Sequence, residues 1–221
     1  MPERLPLFPL GLVLFPGLVL PLNIFEERYR VLIRDLLDLP ESERRFGVVT
    51  IRQGHEVGSD AVPGLYDVGC VAQLRQVEPQ DDGRFEILTF GVQRFALASV
   101  QDDRPYLTGQ VELLPEEPGE DAERLAGAVK LAFWDYIAAL AQAGGESIEV
   151  AELPADPQVL SYLVAATVLL DLPDRQMLLA RADAASRLRA ELTLLRREAV
   201  LLRTLAAAPA PELASGSIHL N

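Results

Sequence analysis

Cysteine occurs once in this 221-residue chain, at Cys70, so no disulfide can close within it. A reduced, cytoplasmic compartment is expected. Cys70 lies in a strand-like run from Val68 to Leu74, where it reads as a small buried hydrophobe, with a reactive thiol as the alternative. Lysine is nearly absent: of 20 basic residues only Lys130 is lysine, which an arginine- and alanine-rich genome explains better than arginine-specific chemistry. The two histidines, His55 and His219, have no metal-ligand spacing to another His or Cys, so no metal site is readable. A Gly-x-x-x-x-Gly-Lys-Ser/Thr phosphate loop is missing, and so is a Gly-x-Ser-x-Gly elbow. Lys130 lies in a helical pattern far in sequence from most serines, which disfavours a Ser/Lys dyad. Positive charge is outweighed, leaving a net charge of -13. That excludes nucleic acid and anionic membrane as natural partners, since neither gains from meeting an acidic surface. No catalytic residue and no cofactor is expected.

What is present is an ordinary globular composition, 49% apolar and 24% charged, enough for one large domain or a domain with a helical extension. The stretch from Leu5 to Arg30 is almost wholly apolar up to Phe25 and then abruptly charged. Its length suits a membrane span or a signal core, but Pro6, Pro9, Pro16 and Pro21 would each break a helix at about 3 kcal/mol. The reading is a set of short extended pieces broken at Pro16-Gly17. Asn23 and Glu26 form a capping-box-like pair ahead of Phe25, Tyr29, Leu32, Ile33, Leu36 and Leu37, predicting a helix from Ile24 to Asp38.

Beyond it the pattern turns to strands. Phe46 to Arg52 is one, and Gln53 to Gly64 reads as a polar loop. Val68 to Glu78 and Phe85 to Phe90 flank a turn ending in Asp82-Gly83, a hairpin signal. Gly91 predicts a break before Gln93 to Val100, and Tyr106 to Leu114 follows. Short links between so many strands predict an antiparallel, strongly bent sheet or small barrel. The acidic pairs Asp81-Asp82, Asp102-Asp103 and Glu116-Glu117 fall at turns and read as solvated loop charge.

After Pro115 to Gly119 the spacing is helical. Leu125 to Leu140 marks a long helix stopped at Gly144-Gly145. Asp156-Pro157 opens a nearly all-apolar helix to Leu170, Asp171 and Pro173 open a short one to Ala180, and Asp183 caps the last. The fold class is therefore α+β: a β-rich half with one helix at residues 1–115, a helical bundle at 119–205, and a disordered tail at 206–221.

Three charged residues stand among apolar neighbours: Glu26, Arg28 and Arg94. An unpaired buried charge costs several kcal/mol, so an internal ion pair tying the first helix to the sheet is expected, with ligand binding as the alternative.

At this point the ordered motifs resemble the Lon protease N-terminal, substrate-binding domain family. The carriers are Pro6 to Leu10, Val13 to Gly17, Leu20 to Leu22, and Phe25, Glu26, Arg28 and Tyr29. Val68 to Ala72, Asp82 to Arg84, Gly91 to Phe95, Pro105-Tyr106, Ser161 to Ala165, Gln176 to Leu179 and Arg187-Leu188 follow in order. Cys70 stands where threonine is common in the family. The resemblance implies a PUA-like β-domain followed by a helical bundle. It also implies a stand-alone form lacking the ATPase and Ser-Lys peptidase domains, hence a non-enzymatic module that binds unfolded or partner polypeptide. An exposed part of the opening stretch would form the apolar patch that marks such sites. Leu12, Phe15, Leu18 and Tyr29 are the candidates, a place in the core being the alternative for each. The other readings are a subunit that docks on a separate ATPase or protease through the last or the central helix, and a small-ligand binder on the PUA-like half.

Overall fold

The structure, a computed structural model, describes residues 2–53, 64–144 and 151–207. Three expectations lie wholly or mostly outside them: the polar loop with His55, the stop at Gly145, and the tail beyond Ala207 with His219.

The opening stretch folds as two strands, β1 (Glu3–Leu10) and β2 (Val19–Ile24), joined through a turn in which Gly17 takes φ +84°. Helix α1 (Glu27–Leu37) follows. Its buried face is Tyr29, Leu32, Ile33 and Leu36, the spacing of one helical stripe, each worth about 1.5–3 kcal/mol when covered. The helix begins later than its capping signal. Asn23 and Ile24 pair instead with Glu86 and Phe85 of a later strand, and Glu26 takes the N-cap place without a side-chain bond. Cross-strand pairing has claimed the backbone that a capping box would need.

Strands β3 (Arg45–Gln53), β4 (Gly64–Leu65), β5 (Val68–Pro79), β6 (Phe85–Gln101) and β7 (Thr108–Leu113) complete the sheet. The path β1-β7-β6-β5-β3 is antiparallel, and β1 then pairs with β3 in parallel, closing a barrel. That parallel pair needs a crossover, which β2 and α1 supply. Phe95, Leu7, Val49, Val71 and Val111 fill the barrel interior. The expected break at Gly91 takes the form of a bulge and not an end: the pairing with β5 skips Val92, and β6 continues from an outer hairpin into the barrel. Gly91 itself serves closeness, because a Cβ there would stand 2.4 Å from the Phe15 carbonyl oxygen.

The chain then becomes helical: α2 (Ala122–Gly144), α3 (Pro157–Thr167), α4 (Leu172–Leu179) and α5 (Ala184–Ala207). The local signals placed three of their starts. The Asp156 carboxylate accepts from the N–H groups of Gln158 and Val159 at 2.9 Å, and Asp171 accepts from Asp174 at 2.9 Å. The Ser186 N–H donates to Asp183 at 2.6 Å. Helix α3 ends at Thr167, short of Leu170, because Val168 is extended and the Leu169 N–H donates to the Tyr136 hydroxyl. Helix α5 runs two residues into the segment expected to be disordered.

Two cores serve the β half, the barrel interior and the layer under α1, one serves the helical half, and a fourth joins the halves. There Val13 and Phe15 of the opening stretch meet Tyr162, Ala165, Leu178, Leu179 and Leu194. Residues 11–18 thus form a seam, with Leu14 turned into the β-side core and Phe15 into the helical side.

Candidate functional site

Outside the barrel the first half of β6 and the second half of β5 continue as a hairpin, and β2 adds a third strand to it. Alternation decides what each face carries. Leu20, Leu22, Leu74, Val77 and Ile87 turn toward α1 and join its core. The opposite face has no element over it among the described residues. It presents Val19 (57% exposed), Pro21 and Asn23 from β2, Glu86 and Leu88 from β6, and Gln76 and Glu78 from β5. A shallow groove of about 440 Å³ lies along it. A smaller cavity of about 190 Å³ flanks β2 beyond Asn23 and is lined by Phe8, Tyr29 and the exposed Phe25. Leu22 and Asn23 line both.

Within this face the register matters more than the residue types. Pro21, Leu88 and Gln76 lie in one row across the three strands, and Asn23, Glu86 and Glu78 in the next. Pro21 offers no N–H, a loss tolerated because β2 is an outer strand of this hairpin sheet.

The residues singled out by sequence are distributed differently. Phe15 is fully buried and Tyr29 is 4% exposed, its ring stacked on Phe8 at 4.0 Å between centroids. In this conformation neither ring faces solvent. Leu12 and Leu18 are half-buried, and Leu18 packs against both the β-side core and the seam. Apolarity alone could not separate them from Val19, Phe25 and Leu88, which the fold leaves outside.

The expected tie from the first helix to the sheet forms elsewhere. Glu26 and Arg28 pair with each other at 2.9 Å at the start of α1, with the Arg28 guanidinium 4.6 Å from the Tyr29 ring centroid. Arg94, 1% exposed, instead crosses the seam. It meets Glu116 at 2.9 Å and donates to the carbonyls of Pro115, Leu179, Arg181 and Ala182. Those last carbonyls follow α4, whose end has no intrahelical donors left for them, so a guanidinium with five N–H groups fits. The Tyr162 hydroxyl donates to Glu116 at 2.5 Å, and Arg187 donates to that hydroxyl, to Ser161 and to the Leu178 carbonyl. Burial pushes the Tyr162 phenol up and pulls the Arg187 guanidinium down, which marks how little water reaches the pair. Glu191, one turn beyond Arg187, is 1% exposed and neither carboxyl oxygen has a hydrogen-bond partner. Burial holds its carboxyl well above the ordinary 4.5, and the Arg187 charge only partly opposes this.

These clustered groups are structural in geometry, since every donor of Arg94 is spent on the protein itself. Cys70 is buried and burial pushes its thiol up, the setting of an inert cysteine. Among the described residues no group of three His, Cys, Asp or Glu is placed to hold a metal, and no helix is long and apolar enough to cross a membrane.

Comparison with known proteins places these features. Residues 4–197 match the family described as the ATP-dependent protease La (LON) substrate-binding domain. The chain is 28% identical over 207 residues to a Lon protease of Anaeromyxobacter dehalogenans, covering 92% of this chain and 24% of that protein. Lon protease 2 of Myxococcus xanthus is 27% identical with the same coverage, so the chain spans about a quarter of the curated relatives' length. Among solved structures, a Lon N-terminal domain protein from Xanthomonas campestris shares the fold with TM-score 0.62 at 24% identity, covering 86% of this chain and 98% of that one. The N-terminal domain of the Mycobacterium avium complex Lon protease gives TM-score 0.61 at 17% identity, covering 88% and 98%. On the match over residues 4–197, the chain belongs to the Lon substrate-binding domain family.

Proposed function

We propose that the protein is a non-catalytic module that binds unfolded or partner polypeptide on the open face of the β2-β6-β5 sheet. One observation carries the reading: a sheet whose inner face is closed by α1 leaves Val19, Pro21 and Leu88 uncovered beside a 440 Å³ groove. Exposed apolar residues gathered on one face mark partner sites. A three-strand face accepts an extended chain over several residues, which suits unfolded segments better than a small ligand. Membership of a family described by substrate binding agrees with it. Pro21 interrupts the donors of the β2 edge, which disfavours strand addition there and leaves the face and its side chains for capture.

The test is fluorescence anisotropy of a labelled, permanently unfolded protein, reduced and alkylated, titrated with this protein. Binding is expected for the unfolded form and not for the same protein folded. Leu88→Asp is expected to abolish it while leaving the thermal melt within a few degrees, because the residue is 36% exposed on the uncovered face and outside every core cluster. Absence of binding, or binding indifferent to Leu88→Asp, would overturn the assignment.

A further inference from the structure

The second row of the open face pairs like with like. Glu78 and Glu86 are directly opposite across β5 and β6, and Asn23 completes the row. Same-sign residues at directly opposed sheet positions repel. Among the described residues neither carboxylate joins an ion pair, and Glu78 receives only the Gln76 amide at 2.6 Å. The nearby hairpin turn is no source of cation, because Arg84 is engaged by Asp82 at 2.6 Å. No basic residue lines the groove. One row away, the Pro21-Leu88 pair is apolar and exposed.

We infer that the groove selects extended polypeptide in which an apolar side chain is flanked by lysine or arginine. The inference rests on the polypeptide-binding reading above and adds the chemical class of the segment. The apolar side chain sits on Pro21 and Leu88. A cation two residues further along the bound chain, roughly 7 Å away, lies between Glu78 and Glu86 and removes their mutual repulsion. The attraction is thus larger than that of either carboxylate alone, since an existing unfavourable contact disappears on binding. The overall charge of -13 extends the preference to the approach of the ligand.

The experiment uses three labelled peptides with one shared apolar centre and flanks of Lys, Ser or Glu, titrated by anisotropy. Exchanging two attractions for two repulsions, each worth a factor of about two at exposed positions, separates the Lys and Glu peptides by about 16-fold at low salt. The gap is expected to close as salt shortens the screening length to about 3 Å near 1 M. In the E78Q/E86Q protein the gap should fall to about twofold, while the melting temperature stays level or rises as the repulsion is lost. Equal binding of the three peptides would overturn the charge preference and leave polypeptide binding standing. Failure of all three to bind would take down the underlying reading as well. A gap that survives E78Q/E86Q would place cation recognition elsewhere on the acidic surface and refute this site.

Discussion

Replacing Arg94 with alanine strips the seam of its principal cross-link. The guanidinium is 1% exposed, joins Glu116 at 2.9 Å and donates to four carbonyls. Removing one partner of a buried pair costs about 3–5 kcal/mol, because the other charge stays behind in a poor solvent. Here the lower end applies. Glu116 keeps 20% of its side chain in water and still receives the Tyr162 hydroxyl at 2.5 Å. A loss of about 3 kcal/mol shifts the melting temperature of a chain this size by about 6–12 °C. Differential scanning calorimetry gives the shift, and urea titration gives the free energy independently. Arg94→Lys keeps the charge on a single nitrogen with three donors, so it should recover less than half. The location adds a sharper mark. With the clip gone, the β half and the helical half should unfold less cooperatively, broadening or splitting the calorimetric transition. An Arg94→Ala protein that melts within about 2 °C of the parent in one sharp transition would refute the account.

Other positions give separate tests. Phe15→Ala empties the seam core and should cost about 3–5 kcal/mol, read in the same melts. Gly127→Ala, on an exposed helical site with nothing within 4 Å of the new Cβ, should instead stabilise by about 0.5–1 kcal/mol. Glu191 tests linkage. Its folded carboxyl stays protonated well above the ordinary 4.5 at which the unfolded chain ionises. Its contribution to stability is therefore greatest below 4.5, is lost as pH rises toward the folded value, and is constant beyond it. Glu191→Gln should remove that loss, so the variant gains on the parent as pH rises from about 4 toward neutrality in urea melts. A parallel pH dependence in the two proteins would contradict a buried neutral acid. Asp183→Ala removes the α5 cap and should cost about 1 kcal/mol at neutral pH. Because the carboxylate is held below its ordinary range by the Ser186 N–H, the difference should vanish as pH falls through that lowered value.

Local chemistry was readable along the chain and long-range choice was not. Asp156, Asp171 and Asp183 announce helix starts because a cap is settled within four residues. Asp82-Gly83 announces the hairpin for the same reason, with Gly83 at φ +79°. Asn23 and Glu26 announce a start that strand pairing with β6, some sixty residues on, takes away. Gly91 reads as a break, yet what it serves is the approach of the Phe15 backbone from far upstream. The partners of Arg94 lie 21 to 88 residues away, and most are backbone carbonyls, which leave no trace in residue types. The open face has the same problem in another form. Period-2 alternation names Val19, Pro21 and Asn23 as one side of β2, but which side is covered depends on where α1 lands. Glu78 opposite Glu86 is visible only once the bulges in β5 and β6 have set the register.

The continuous backbone of β6 has a mechanical consequence. Leu88, on the open face, and Arg94, at the seam, belong to one strand, six residues or roughly 20 Å apart at about 3.3 Å per residue. If polypeptide is held at the groove as proposed, a pull on it enters covalent backbone and reaches the Arg94 guanidinium without crossing a loop. Tension along the strand loads its ladders with β5 and β7 in shear, where many hydrogen bonds resist together. Tension across the outer hairpin would open them one after another like a zipper. Resistance to pulling is therefore expected to be greater along the line that joins the open face to the helices than across the outer hairpin.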